Sequence, residues 1–340
     1  MLYSLVARRN GEILFHSDGK WLYPLLDLED RINEEGWDGS ELELEDKIAG
    51  KAAAFLMVRM GVRRVYAHMV SELAEEVFRS YGVEYRFDIR VPRIACQTEE
   101  ILATLDDPEE AALIILRRAG REMEIPLIVE SLYVTRNGKP VLRNLTFAVG
   151  KGERVVIRGP NGTGKSTFLR SILGLVPSEQ GTILIHGEGQ RIPDPAHVGY
   201  LSQESARDDL NITVEEVVEV GTLRFRCSAE ERKNRVSHAL GLTGMDGFQK
   251  RSFRSLSGGE LRRCDLARCF AQEPEILLLD EPTANLDPDA KKEVLEVLQA
   301  YGENRKTTVV MVTHEESHFH LPGWKSYLLE QGRLYPQGNR

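Results

Sequence analysis

The chain has 340 residues, 29% of them charged and 41% hydrophobic, with a net charge of −9 and a pI near 5.6. That length accommodates about two domains, each with its own core, and the acidic balance argues against a nucleic-acid surface, which needs concentrated Lys and Arg. Four cysteines, Cys96, Cys227, Cys264 and Cys269, show no C-x-x-C spacing, so neither a disulfide framework nor a zinc ribbon is indicated and a reducing cytosol is the expected setting. The first residues, MLYSLVARRNGEILFHS, lack the apolar core of a signal peptide and read as a hairpin. No run reaches the ~18–20 apolar residues of a membrane span, so any membrane role is expected to come through another chain.

Leu2 to Arg8 and Glu12 to His16 are predicted strands around Asn10-Gly11, a strong hairpin signal. Pro24 to Glu35 is predicted helical, and Glu41 to Glu45 alternates with period two as a half-exposed strand does. Ala52 to Met60 follows as a helix, then strand Arg63 to Ala67, helix Glu72 to Ser80 and strand Glu84 to Ile89. Thr98 to Leu105 and Glu109 to Arg118 are further helices, with Asp107-Pro108 as a stop and restart. Strands alternating with helices imply a small α/β layer domain over residues 1–122. Arg121 to Pro126 is the expected joint, because charge clusters there and Pro126 interrupts strand pairing. Its shortness predicts two domains in contact.

Asp46-Lys47-Ile48-Ala49-Gly50-Lys51-Ala52-Ala53-Ala54 and Gly61-Val62-Arg63-Arg64-Val65-Tyr66-Ala67 resemble an uncharacterised bacterial domain family with a cytidine-deaminase-like fold, over about residues 1–118. A zinc deaminase needs a His or Cys ligand with a Glu at one helix start and P-C-x-x-C at another. The first place here reads Gly50-Lys51-Ala52, and the second keeps a single cysteine, Cys96. One thiol cannot supply the three protein ligands of catalytic zinc, so no deamination is expected. The domain reads either as a structural and docking module or as a regulatory module using a pocket around Asp46, Lys51 and Cys96. A lone cysteine is more often an inert small hydrophobe than a nucleophile.

Past the joint, Ile128 to Thr135 and Val141 to Val149 read as a strand pair joined by Asn137-Gly138. Next comes the apolar run Arg154-Val155-Val156-Ile157, then Gly159-Pro160-Asn161-Gly162-Thr163-Gly164-Lys165-Ser166-Thr167, then the helical spacing of Phe168 to Leu173. Strand, glycine loop, Lys-Ser and helix is the order in which a phosphate cradle is built. Glycines let several N–H groups point at one phosphate, and the helix adds its positive end. Lys165 supplies charge toward the outer phosphates and the Ser166 hydroxyl can ligate Mg²⁺. Flanked in this way, the loop predicts a nucleoside triphosphate as ligand.

Ile276-Leu277-Leu278-Leu279-Asp280-Glu281 fits a strand buried on both faces of a parallel sheet, with its polar end at the ligand edge. Asp280 is expected to face the Mg²⁺ shell, and Glu281 to orient the attacking water. Between these stretches, Ser255-Leu256-Ser257-Gly258-Gly259-Glu260-Leu261-Arg262-Arg263 opens a helix to about Ala271. Ser257 is a good N-cap, and Gly258-Gly259 leaves backbone N–H groups accessible as a second anion site. A plain cap explains Ser257 but not two adjacent glycines, each of which weakens a helix.

These motifs, with Tyr133, Gln203 in Gly199-Tyr200-Leu201-Ser202-Gln203, Ala284-Asn285-Leu286-Asp287, and His314 after the strand Thr308 to Thr313, resemble the ATP-binding cassette family over about residues 127–335. Glu260 stands where many members carry Gln, outside the expected phosphate contacts. The resemblance implies a P-loop NTPase fold with a helical subdomain, ATP and Mg²⁺ as ligands, and ATP hydrolysis. It implies that Tyr133 stacks on adenine, that Gln203 meets Mg²⁺ and the water, and that His314 bonds the γ-phosphate. That role for His314 argues against reading His314, His318 and His320 as a metal site.

It further implies that Asp287 is a nucleotide-site residue and that Ser257, Gly258 and Gly259 belong to the ATP held by a second cassette, so that two cassettes close head-to-tail as a homodimer or heterodimer. Gln249 to Arg254 replaces the Glu-rich stretch typical of exporters, which favours an importer-type or stand-alone cassette, and Asn211 to Val218 is similar to the helical entry of metal-type importers. Two functions follow. The first is the energising subunit of a transporter, peripheral on the inner face of the membrane through a separate permease. The second is a soluble cassette ATPase acting on a protein complex and regulated by the front domain.

Overall fold

The computed structural model describes residues 3–189, 197–203, 212–305, 307–315, 321 and 323–337. β1 (Leu5–Arg9) and β2 (Glu12–Ser17) pair antiparallel around Asn10 and Gly11, both at positive φ, 52° and 85°, as a two-residue hairpin turn requires. α1 (Tyr23–Glu35) carries Pro24 in its first turn and ends at Gly36 in the left-handed region. The strand expected at 41–45 is displaced. Asp38 Oδ1 accepts from the Ser40 N–H at 2.8 Å and winds Gly39–Glu41 into a 3₁₀ turn, so β3 runs Glu43–Ala49.

α2 (Lys51–Arg59), β4 (Arg64–Ser71), α3 (Glu72–Ser80) and β5 (Glu84–Val91) follow. α4 (Gln97–Leu102) is shorter than the helix expected over 98–105: the Ala103 carbonyl turns to the Lys51 ammonium at 2.9 Å instead of continuing the helix. Asp107 then starts α5 (Pro108–Arg118) by accepting from the N–H groups of Glu109 and Glu110. The five strands lie in the order β2-β1-β3-β4-β5, with β3, β4 and β5 parallel.

A 3₁₀ turn at Glu122–Glu124 leads into β6 (Leu127–Arg136) and β7 (Lys139–Val149), antiparallel across Asn137 and Gly138. Then come β8 (Arg154–Arg158), α6 (Lys165–Ile172), β9 (Gln180–Ile185), β10 (Glu188–Gly189) and β11 (Val198–Leu201). The helical layer is α7 (Val214–Glu219), α8 (Ala229–Leu242) and α9 (Gly258–Ala271). β12 (Ile276–Asp280), α10 (Pro288–Arg305), β13 (Thr308–Thr313), β14 (Lys325–Glu330) and β15 (Arg333–Gln337) complete the chain. Two sheets result, β10-β9-β6-β7 and β11-β12-β13-β8-β14-β15. β12 is buried at all five positions between parallel partners β11 and β13, as its unbroken apolar run predicts. Thr213 caps the expected helical entry, though Asn211 lies outside the described residues, as do His318 and His320.

The two halves share buried structure. Ile125, Ile128 and Ala148 pack into the front core. The buried Arg59 guanidinium pairs with Glu29 and Glu109 on its own side and, on the other, meets Glu153 and donates to the Ala148 carbonyl at 2.9 Å. Lys325 pairs with Glu29 and Glu153, and Tyr327 donates to Glu109 at 2.7 Å. Burial alone would raise the Glu29 pKa, but Arg59 and Lys325 outweigh it and hold the carboxyl at about 2. Removing any member strands charge in a dry site.

Candidate functional site

The buried strand β8 delivers the chain to a loop in which each glycine meets a constraint. A Cβ at Gly159 would sit 2.7 Å from the Leu329 carbonyl, and one at Gly164, φ 107°, would sit 2.6 Å from Val141 Cγ1. Gly162 takes φ 83°, a conformation that residues with a side chain rarely adopt. Thr163 Oγ1 ties the loop by donating to the Pro160 carbonyl at 2.9 Å. Pro160, Asn161 and Gly162 stay exposed, so the start of α6 faces solvent, a site suited to an anion.

Lys165 is 5% exposed. Its ammonium donates to the carbonyls of Gly159 at 2.7 Å and Pro160 at 3.2 Å and lies 3.6 Å from Glu281 Oε1. Ser166 Oγ donates to Asp280 Oδ1 at 2.9 Å, while Tyr200 donates to the other carboxylate oxygen at 3.3 Å. Burial pushes the Asp280 carboxyl above its ordinary value, and those two hydrogen bonds pull against it. Thr167 follows in the first turn of α6, half-buried. Glu281 adopts φ 49°, a left-handed conformation uncommon outside glycine, held by its N–H to the Val312 carbonyl at 3.0 Å. Its Oε2 is 2.9 Å from His314 Nδ1 and accepts from the His314 N–H at 3.3 Å. Hydroxyl, carboxylates, ammonium and imidazole therefore converge where β8, β12 and β13 end. A hydroxyl beside a carboxylate is an all-oxygen donor set suited to a hard cation such as Mg²⁺.

The other expected residues lie further out. Gln203 is exposed two residues past Leu201, which is in register with Leu279; the same step beyond Leu279 reaches Glu281. Tyr133 is half-buried on β6 opposite Gln180, one residue from Val134, whose partner Leu142 follows the Val141 that abuts Gly164. Ser257 caps α9: its Oγ accepts from the Glu260 N–H at 3.3 Å, and Glu260 returns by accepting from the Ser257 N–H at 2.8 Å. Gly258 is exposed, whereas Gly259 is buried where a Cβ would meet the Ala290 methyl at 2.8 Å. Asp287 caps α10 through the Ala290 N–H at 3.0 Å. Among the described residues, no hydrogen bond or ion pair joins Ser257, Gly258 or Asp287 to the glycine loop.

Sequence reasoning missed Arg262. Its buried guanidinium donates to the carbonyls of Ser202 and Pro282 at 2.7 Å, of Glu281 at 2.7 Å and of Asp280 at 3.2 Å. One side chain thus ties the α9 start, the residue before Gln203 and the carboxylate pair. Its helical spacing from the buried Gly259 and Leu266 was the available signal: an arginine on an apolar helix face needs partners. In the front domain, no hydrogen bond or ion pair among the described residues joins Asp46, Lys51 and Cys96 directly, although Lys51 and Cys96 both bond Glu99. Asp46 accepts from the Ile48 N–H at 3.0 Å, Lys51 reaches Ala103, and Cys96 Sγ caps α4 through the Glu99 N–H at 3.4 Å.

Comparison with known proteins places this geometry. The family model described as ABC transporter matches residues 142–284, and a domain of unknown function, DUF1893, matches residues 2–117. A Clostridium acetobutylicum protein named as an ABC transporter ATP-binding protein is 36% identical over 211 residues, 61% of this chain and 76% of that protein. The energy-coupling factor transporter ATP-binding protein EcfA of Methanocaldococcus jannaschii is 34% identical over 59% of this chain and 74% of its own length. Among solved structures, cbiO1 from Clostridium perfringens, part of the ABC transporter complex cbiONQ, superposes with a TM-score of 0.58 at 26% identity, covering 64% of this chain and 89% of that one. A dimeric ATP-binding cassette bound to ADP and Pi gives 0.56 at 27% identity, covering 63% and 99%. With relatives at 36% and 34% identity matched over 76% and 74% of their own length, the chain belongs to the ABC transporter ATP-binding proteins, P-loop ATPases, and carries a DUF1893 domain at its front.

Proposed function

We propose that this ATPase works as one of two cassettes closing head-to-tail over ATP, and that the closure drives transport through a separate membrane permease. The observation that carries the reading is the convergence of Lys165, Ser166, Asp280, Glu281 and His314 on the solvent-facing loop. The loop amides of residues 159–167 and the α6 terminus take the phosphates. Lys165 exchanges its carbonyl partners for phosphate oxygens, and this exchange also draws it from Glu281. Ser166, Asp280 and Gln203 are the residues that would hold Mg²⁺, which offsets charge on the outer phosphates when bound. Glu281, freed from the ammonium, orients water, while His314 beside it bonds the γ-phosphate. Tyr133 stacks on the adenine.

Ser257, Gly258, Gly259 and Asp287 act on the ATP of the second cassette, which accounts for an exposed α9 tip with no link to its own loop. The pair is a homodimer or a heterodimer with another cassette. Support for a permease comes from the helical layer beyond Gln203, where Val220 and Leu223 are 54% and 67% exposed, apolar area of the kind that marks a partner surface. Among the described residues no helix is long and apolar enough to cross a membrane, so the translocation path belongs to the partner. The front domain, residues 1–122, rides on the cassette, residues 127–335, through the Arg59 network. Affinity purification from solubilised membranes tests the proposal: a polytopic membrane protein should accompany the wild type and be lost with Leu223→Glu while ATP affinity is kept. Recovery of soluble partners alone would overturn the permease.

A further inference from the structure

We propose that His186, His197 and Glu275 bind a divalent transition-metal ion of the zinc class at the end of the sheet opposite the phosphate loop. None of the three serves the ATP site. His186 is at the β9–β10 turn, at φ 52°, with its N–H donating to the Pro126 carbonyl at 3.0 Å. His197 immediately precedes β11, and its carbonyl accepts from the N–H groups of Glu275 and Ile276 at 3.1 and 2.8 Å. Glu275 immediately precedes β12. Three separate segments, each held by backbone hydrogen bonds, thus bring their side chains to one point.

The imidazole centroids are 4.9 Å apart. His197 Nδ1 lies 2.9 Å from Glu275 Oε1 and His186 Nε2 lies 3.1 Å from Oε2, and one ligand atom from each residue falls within 4.8 Å of the other two. A simple hydrogen-bonded trio accounts for His197. It does not account for His186 Nε2, which is shielded from solvent and, among the described residues, makes no hydrogen bond although the Glu275 carboxylate lies 3.1 Å away. A cation between the two imidazoles would use that lone pair. Two imidazoles and a carboxylate suit Zn²⁺, Co²⁺ or Ni²⁺ better than Mg²⁺. Three protein ligands leave a coordination position for water, so the ion exchanges with solvent through the cleft lined by Lys151, Pro274 and Thr307.

Such an ion would join the antiparallel sheet, through β9–β10, to the two strands whose other ends carry Gln203 and the Asp280–Glu281 pair. Full-length protein stripped with a chelator and desalted, free of nucleotide and Mg²⁺, is titrated with CoCl2 and ZnCl2. The wild type should take one equivalent with a visible Co²⁺ d–d band, and Zn²⁺ should raise its Tm. The H186Q/H197Q double variant should bind at least about tenfold more weakly, losing the band and the Tm gain. H314A should keep both, and ATP affinity should be unchanged in the double variant, which separates this site from the ATP reading. Equal metal binding by wild type and double variant, or none by the wild type at micromolar metal, overturns the site.

Discussion

Two helices in this molecule begin at the end of a parallel strand after a glycine, and they use their positive ends in opposite ways. At α6, in the cassette, the glycine loop stays open and its lysine is held by the loop's own carbonyls. At α2, in the front domain, the chain fills the position itself: Glu99 Oε2 accepts from the Lys51 N–H at 2.6 Å, and a Cβ on Gly50 would lie 2.6 Å from that same oxygen. A helix N-terminus attracts an anion in either case. Whether it is a receptor or a joint depends on whether the protein supplies the anion. In the front domain the space at this terminus is occupied by the chain's own carboxylate.

If that contrast holds, changes at the α6 end should affect turnover and leave stability alone, and changes at the α2 end should do the reverse. The largest effect is expected for Glu281→Gln, which should cut ATP turnover by roughly 10²–10⁴-fold while retaining ATP and trapping a nucleotide-dependent dimer in sedimentation. Near-normal turnover would remove Glu281 from the chemistry. Lys165→Ala should weaken ATP binding by about tenfold or more by calorimetry, a loss of about 1.4 kcal/mol or greater, with its unfolding midpoint close to wild type. An unchanged affinity would mean that the loop does not receive phosphate.

Glu99→Ala should lower stability by about 1–3 kcal/mol in urea melts, because it strands a buried N–H, without altering ATP affinity; an altered affinity would collapse the contrast. The last test concerns pH. Burial raises the Asp46 carboxyl to about 7, against hydrogen bonds from Ile48 and Lys47 that lower it. The folded chain then holds a proton that the unfolded chain releases near pH 4, so this contribution is full below about pH 4 and is lost as pH rises through 7. Asp46→Asn should flatten the difference between urea midpoints at pH 5 and pH 8, and an identical slope in both proteins would discount the shift.

Legibility followed the range of the interaction. Asn10-Gly11 and Asn137-Gly138 announced their turns, and β12 announced its burial by composition, because φ preferences and an unbroken apolar run are local properties. The displaced β3 start was harder, since Asp38 winds a 3₁₀ turn from just outside the alternating stretch. Arg262 was hidden because its four acceptors come from segments distant in sequence, so only the apolar face on which it sits hinted at a role. The Arg59 network and the His186, His197 and Glu275 cluster gave no such hint.

The sequence by itself determined where an anion-accepting glycine loop lies, since such a loop between strand and helix sets its own backbone geometry. Tertiary structure alone decided that the α2 terminus is closed by a carboxylate 48 residues away, that Arg262 binds the Asp280–Glu281 strand end to its neighbours, and that two histidines meet one glutamate across three segments. Those pairings depend on which strands lie side by side, and strand order is fixed by burying whole faces together, a global condition that no short stretch of sequence carries.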